Sequence, residues 1–285
     1  MIARHGPRRV SEAALISPLR PALVLVRPQE EGNVGAVARA MANMGLDDLH
    51  LVEPAAPLRG SAYAFAVHAS SILDNARRHR DLTSALAGFG RVVATTAARD
   101  RAWPRSRLVS PRELADALAQ DPPGTPTALV FGPESSGLTN DELASASLLV
   151  RIPTAPEQPT LNLAQAVLIV AYELFLARKA HPAGTASAPA GGPVATPEPR
   201  ATGDELAGFF SQLETLLRRV RFARDSTIAG VERDLRQLLS RAAPTRREVT
   251  ILRGILRRVG HALAGRGSRT GSTQSRRPDH RPGGG

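Results

Sequence analysis

The stretch Arg151 to Lys179, RIPTAPEQPTLNLAQAVLIVAYELFLARK, constrains the fold of this chain more than any other. An apolar run with β-branched members, Ser147 to Ile152, leads into it and predicts a strand covered on both faces. Pro153, Pro156 and Pro159 then exclude both ladder pairing and helix. The chain must cross an irregular loop there, whose free backbone N–H and C=O groups can grip a ligand. From Leu163 the apolar positions Leu163, Ala166, Val167, Val170, Ala171, Leu174 and Phe175 repeat at the spacing of one helical face. Leu168, Ile169, Tyr172 and Leu176 make the other faces apolar as well. Such a helix is buried twice, against its own sheet and against a second subunit, or it is an ordinary core helix of a large domain.

With 285 residues the chain can form one large domain and a small one. It has no Cys, which removes disulfides and thiolate metal sites and fits a reducing cytoplasm without requiring one. No apolar run is long and continuous enough to span a bilayer, and the basic N-terminus MIARHGPRRVSEAALISPLR lacks the apolar core of a signal peptide. No membrane partner is expected.

The formal net charge of +11 points toward nucleic acid, because phosphate contacts recruit Arg and Lys. Two features weaken that inference. Lys179 is the only lysine among 37 basic residues, and Ala, Gly and Pro are abundant, a bias that GC-rich coding alone produces. Much of the excess also sits in the tails, where Arg4, Arg8, Arg9 and Arg20 stand against Glu12, and five arginines after residue 263 stand against Asp279.

Residues 1–20 are expected to be a disordered arm. Beyond it Ala22–Val26, Leu49–Val52, Arg91–Thr95 and Thr127–Phe131 read as strands. Helical patterns run between them at Val34–Met44, Ser70–Arg78, Pro111–Ala119 and Asp141–Ala146. Alternating strand and helix predicts an α/β fold, a parallel sheet with helices on both faces, over residues 21–180. Ligands bind such sheets beyond the carboxyl ends of the strands. The polar segments Gln29–Gly35, Thr95–Ala97, Gly132–Asn140 and the loop after Ile152 all follow strands.

Asn33 is placed to cap the first helix, with Val34, Val37, Ala38 and Met41 facing the core. Arg39 lies on another face, either as a functional cation or as a solvated surface residue. Gly132–Thr139, GPESSGLT, is nearly a phosphate-cradling loop, but Leu138 stands where its lysine belongs, which argues against nucleotide hydrolysis. A glycine turn remains, with Glu134 as its charged side chain. No His lies at ligand spacing from another His or a carboxylate, so no metal and no His-based catalysis are expected. His50, His68 and His79 are read as structural or surface residues.

Residues 181–203 are rich in Ala, Pro, Gly and Thr and read as a flexible linker. Residues 204–263 then carry three amphipathic helices, two of them opened by the capping pairs Thr202/Glu205 and Thr245/Glu248. Short helices bury little alone, so they must pack together or on the larger domain. Arg218, Arg219, Arg221, Arg224, Arg246, Arg247, Arg253, Arg257 and Arg258 could follow an RNA backbone. Residues 264–285 are expected to be a disordered basic tail.

Three stretches taken in order, Asn33 with Arg39, Val130 to Leu138, and Ile152 to Asn162 with its helix, resemble the three motifs of the SpoU (TrmH) family of SPOUT methyltransferases. RAAPTRREVTILRGILRRV and the Arg101, Trp103, Pro104 stretch narrow the resemblance to TrmJ-like tRNA 2'-O-methyltransferases, over roughly residues 21 to 260. The resemblance implies a C-terminal trefoil knot, which general topology rules would not suggest. It also implies an S-adenosylmethionine site formed by Thr95, Thr96, Ala97, Gly132, Glu134, Ile152, Thr160, Leu161 and Asn162. Position 160 is usually Ser in the family, and Thr keeps the hydroxyl. Phe65 to His68 departs from the small residues of relatives.

By the same resemblance Arg39 is the catalytic residue and contacts RNA with Arg101, while Asn33 and Glu134 hold that arginine or the ribose. No metal is implied. The enzyme would be a cytoplasmic homodimer joined through helix 163–179 and acting on a pyrimidine ribose of the tRNA anticodon loop. Ribosomal RNA as substrate and a non-catalytic RNA-binding relative are the alternatives.

Overall fold

The structure, a computed structural model, describes residues 19–55, 58–97, 108–122, 124–180, 198–222 and 225–267. Its frame is a parallel sheet of seven strands: β1 (Ala22–Val26), β2 (Leu49–Val52), β3 (Arg77–His79), β4 (Arg91–Thr95), β5 (Leu108–Val109), β6 (Thr127–Phe131) and β7 (Leu148–Val150), in the order β3-β2-β1-β6-β4-β7-β5. The central strands β1 and β6 are buried at every position, as continuous apolar runs in a doubly covered sheet should be. The edge strand β3 reads Arg-Arg-His and is largely exposed, which disguises it in the sequence and discourages a further strand from pairing there. Its last residue is tied inward. His79 lies 3.0 Å from His50 through their ring nitrogens, the rings stack at 4.9 Å, and His50 reaches Asp48 at 3.2 Å.

Alternate side chains of the strands feed two cores. Leu23, Leu25, Leu49, Leu51, Leu129 and Phe131 point into the larger core, which is closed by five helices. These are α1 (Glu31–Asn43), α2 (Gly60–Ala66), α3 (Ser70–Asp74), α5 (Pro111–Ala119) and α7 (Leu163–Ala180). Val24, Val26, Val130 and Leu149 point the other way, against α4 (Leu82–Leu86) and α6 (Asn140–Ala144).

The C-terminal helices α8 (Gly203–Arg219), α9 (Asp225–Ala242) and α10 (Arg246–Gly267) share a small core around Phe209, Phe210 and Val249. Both capping pairs form as the spacing predicts. The unit docks on the second face of the sheet, where Gly203 and Asp204 donate backbone N–H groups to Phe89 and Ala87 and the Ser240 hydroxyl donates to the Ala146 carbonyl. A cavity of about 620 Å3, lined by Leu86, Phe89, Leu206, Phe210 and Arg236 among others, lies within this contact. Beside it Asp121, whose side chain is 1% exposed, accepts from both Arg91 and Arg200.

Several expected boundaries move. The first helix begins at Glu31 with Glu30 as its cap, so Asn33 falls inside the first turn and its amide is free for another role. The pattern at Ser70–Arg78 stops at Asp74 because Arg77–His79 pairs with β2. The arm ends by residue 19, where Leu19 is buried and its carbonyl accepts from Arg178. The linker ends before Arg200, which bridges to Thr245. The last helix runs past residue 263 to Gly267. The rest of the arm and tail, most of the linker, and Arg101 with Trp103 and Pro104 lie outside the described residues.

Candidate active site

The loops leaving β4, β6 and β7 enclose a cavity of about 260 Å3 at the carboxyl edge of the sheet. Thr95, Thr96 and Ala97 line it from the first loop, Gly132 and Glu134 from the second, and Ile152, Thr160 and Leu161 from the third. Phe131, Val150, Leu163 and Ala166 add apolar surface. The first loop stays in register with the sheet because Thr96 donates its N–H to the Val150 carbonyl at 3.0 Å. The proline-rich loop folds back on itself through the Thr154 hydroxyl, which donates to the Pro159 carbonyl at 3.2 Å.

The middle loop depends on its glycines. A methyl group on Gly132 would stand 2.4 Å from both Gly137 C and Leu138 N, so only glycine lets the turn close. Gly137 has φ +64°, in the left-handed region that favours glycine. Leu138 is buried beneath the turn, so this loop offers no cation to a phosphate.

At the rim, three side chains from distant parts of the sequence join in a line. Asn162 donates its amide to Asn33 Oδ1 at 2.9 Å, and Asn33 donates its own amide to Glu134 Oε1 at 2.9 Å. Glu134 Oε2 accepts the backbone N–H of Gln29 at 3.1 Å. Asn162 is fixed from below as well, since its Oδ1 accepts from Ala164 N and its N–H donates to Gln165 Oε1, the reciprocal cap of α7. Partial burial opposes ionisation of Glu134. The Asn33 amide and the backbone N–H groups of Glu134, Gln29 and Glu30 outweigh it and hold the carboxyl below the usual glutamate range. The group is therefore a fixed anion at neutral pH.

Arg39 does not line this cavity. It is exposed on α1, about 9 Å along the axis from Asn33 and turned well away from it around the helix. Its side chain is exposed to solvent in the single chain. On the adjoining α7, Leu168, Ile169, Tyr172 and Leu176 are each more than a third exposed, leaving an apolar face uncovered in the single chain.

No Lys or Arg appears among the described residues lining the cavity, whose charged group is the Glu134 carboxylate. That donor set disfavours a phosphate-bearing ligand and suits a cationic one with an apolar or aromatic body. No group of three or more His, Cys, Asp or Glu residues that could hold a metal occurs among the described residues.

A model of the SpoU rRNA methylase family matches residues 20–172. The chain belongs to that family. Beyond the SpoU methylase region, a model of the C-terminal domain of the tRNA methyltransferase TrmJ matches residues 204–269. Among SpoU relatives, the tRNA (cytidine/uridine-2'-O-)-methyltransferase TrmJ of Pectobacterium atrosepticum is 41% identical over 238 residues, 83% of this chain and 95% of its own. That of Salmonella typhimurium is 41% identical over 235 residues, covering 82% and 93%. The crystal structure of TrmJ from Z. mobilis ZM4 superposes with a TM-score of 0.69 at 34% identity, covering 84% of this chain and 99% of that one. A probable methylase family protein from Haemophilus influenzae Rd KW20 gives 0.56 at 32% identity, with 90% and 99% covered.

In this SpoU methylase every residue expected at the cofactor site lines one cavity except Asn162, which stands at the rim through Asn33. Ser135, Ser136 and Thr154 also line it and were missed, although their hydroxyls in a glycine turn and a proline loop were visible in the sequence. The Gln29 contact is made by backbone, and no side-chain signal could have found it.

Proposed function

We propose that the chain is an S-adenosylmethionine-dependent methyltransferase acting on the ribose 2'-hydroxyl of a cytidine or uridine in the tRNA anticodon loop. The observation that carries this reading is the anionic Glu134–Asn33–Asn162 line at the rim of a cavity without a cation among its described lining residues. The chain's similarity to TrmJ proteins at both its sheet domain and its C-terminal helices favours tRNA over ribosomal RNA. Such an enzyme would work in the cytoplasm, in reach of its tRNA substrate.

Bound S-adenosylmethionine supplies an activated methyl on a sulfonium that leaves neutral, so no metal is required. Thr95 to Ala97, Gly132, Ile152 and Thr160 to Asn162 would hold it in the loops that the family resemblance ties into a trefoil knot. Glu134 contributes a fixed negative charge beside the cationic donor and keeps Asn33 oriented toward the incoming ribose. Arg39 would act on the cavity of a second subunit, across a dimer that covers Leu168, Ile169, Tyr172 and Leu176. A guanidinium is a poor base at neutral pH, so its work is to hold the hydroxyl and adjacent phosphate in line and to stabilise the oxyanion as the proton passes to solvent water.

The test is incubation of the protein and an Arg39→Ala variant with methyl-labelled S-adenosylmethionine and unmodified tRNA, followed by nucleoside analysis. Label in 2'-O-methylcytidine or 2'-O-methyluridine, lost in the variant, is expected. Absence of transfer to tRNA by a protein that binds the cofactor would overturn the reading.

A further inference from the structure

A methyltransferase that acts on ribose must present one nucleotide with its sugar at the cofactor and its base somewhere else. Free bases are held by stacking, most often on an aromatic side chain beside the site. Among the described residues, one exposed aromatic side chain can be placed beside this rim through its contact with α1. Phe65 on α2 is 58% exposed, and its ring packs on Gly32, where an added methyl would meet the ring at 3.3 Å. Gly32 is the residue before Asn33, whose amide binds Glu134. The ring therefore stands beside the polar line at the cavity rim, with much of its surface toward solvent.

Its placement is rigid. Glu31, on α1, accepts from the Arg59 N–H and the Ser61 hydroxyl at the start of α2. One turn further on, a methyl on Gly35 would lie 2.0 Å from the Ala62 carbonyl oxygen, so the two helices touch backbone to backbone. Contacts from three positions in one turn of α1 thus fix α2, and Phe65 with it, relative to Asn33. At the end of α2, Val67 is held at φ +56°, a strained position for a β-branched residue. Strain of this kind persists where the surroundings impose it, and it gathers at functional sites.

We propose that Phe65 is the stacking platform for the base of the nucleotide whose ribose enters the site. This rests on the reading that the site methylates RNA. Phe65 is then a substrate-positioning residue: it contributes to the affinity for RNA and to the orientation of the sugar, and it does not touch S-adenosylmethionine. Because every base has a π-face, the platform serves cytidine and uridine alike. A stacked base adds affinity without releasing counterions, so its contribution is insensitive to salt, unlike that of an arginine on phosphate.

The experiment compares wild type with Phe65→Leu and Phe65→Tyr in methyl transfer to unmodified tRNA, tRNA binding across a salt series, S-adenosylmethionine binding, and sedimentation. Leu keeps an apolar contact with Gly32 and removes the π-face, whereas Tyr keeps both. Phe65→Leu is expected to weaken tRNA binding and raise KM about tenfold, with the salt slope, cofactor affinity and oligomeric state unchanged. Phe65→Tyr should match wild type. Equal tRNA binding by wild type and Phe65→Leu would overturn the proposal. So would a change in sedimentation or cofactor affinity in Phe65→Leu, which would make the ring a subunit contact or a support for the loops. A wild-type protein that transfers no methyl to tRNA would instead overturn the functional reading, and the platform with it.

Discussion

Asn162 and Asn33 meet amide to carbonyl at 2.9 Å although they stand 129 positions apart in the sequence. The contact joins the start of α7 to the start of α1, and so ties the proline-rich loop to the segment that presents Asn33 to Glu134. Asn162 uses its oxygen for the helix cap and its NH2 for Asn33, and the two tasks can be separated by mutation. Asn162→Ser keeps a capping oxygen and should leave stability within about 0.5 kcal/mol while kcat falls severalfold. Asn162→Ala should show the same fall in kcat and also lose about 1 kcal/mol of stability. Thermal unfolding alongside single-turnover kinetics distinguishes the two.

Glu134 carries a sign-determined pH effect. Its folded-state carboxyl is held below the ordinary glutamate value, so the unfolded chain binds more protons in the window between the two. Its contribution to stability is fully present above the ordinary value of 4.5 and is lost as pH falls through the lowered one. Glu134→Gln should remove that contribution. The stability difference between wild type and variant, followed by urea unfolding, should shrink as the solution is acidified below pH 4.5.

Gly132→Ala sets a methyl against backbone on the far side of its turn. The turn must open, and S-adenosylmethionine binding measured by calorimetry should fall below detection, with a stability loss of about 1–3 kcal/mol. Gly254 in α10 is the control, because nothing lies within 4 Å of a methyl added there. Gly254→Ala should raise stability by about 0.5–1 kcal/mol through helix propensity, with activity retained.

The proposal that Arg39 serves the cavity of a second subunit makes a mixing prediction. Arg39→Ala and Glu134→Ala chains, each inactive alone, should regain about a quarter of wild-type activity after co-refolding at equal amounts, because random pairing leaves half the dimers with one intact site. If each chain used its own Arg39, mixing would restore nothing. Tyr172→Arg should keep the protein monomeric in sedimentation and inactive, with its fold retained by circular dichroism.

Asp121 lies between two guanidiniums with almost no access to water. Asp121→Ala leaves Arg91 buried without its carboxylate and should cost about 3–5 kcal/mol in denaturant unfolding. Arg200→Ala removes the more accessible partner and should cost less, while making the C-terminal helices more accessible to limited proteolysis.

Much of this was legible in the sequence where one physical signal ruled. β1, β2, β4 and β6 have the residue bounds that their apolar runs predict, because a doubly covered strand needs little beyond continuous burial. Pro111 after Ser110 marked the start of α5 for the same reason, since its cap and its first-turn proline are both local. The edge strands were hidden: β3 is Arg-Arg-His and β5 is two residues long, and both exist through pairing to a neighbour. Asn33 misled in a different way. Its residue type suits a cap, but its acceptor oxygen is taken by Asn162, a partner that local sequence cannot name. The residues of the cavity could be gathered by motif, whereas the outward aim of Arg39 required a helix with a known starting residue.

The ends of the segment between α7 and Arg200 are both anchored, one by a helix in the larger core and the other by the Asp121 carboxylate. The C-terminal helices make their own contacts with the larger domain, through Gly203, Asp204 and Ser240. Lengthening or cutting the chain between those anchors is expected to cost little, since each doubling of a closed flexible segment adds only about 0.6 kcal/mol. The protein is, in effect, a two-piece object whose parts recognise each other by surface. Cleaved within that stretch, it should travel through a sizing column as one particle, and its lineage is free to diversify the tether without re-evolving the joint.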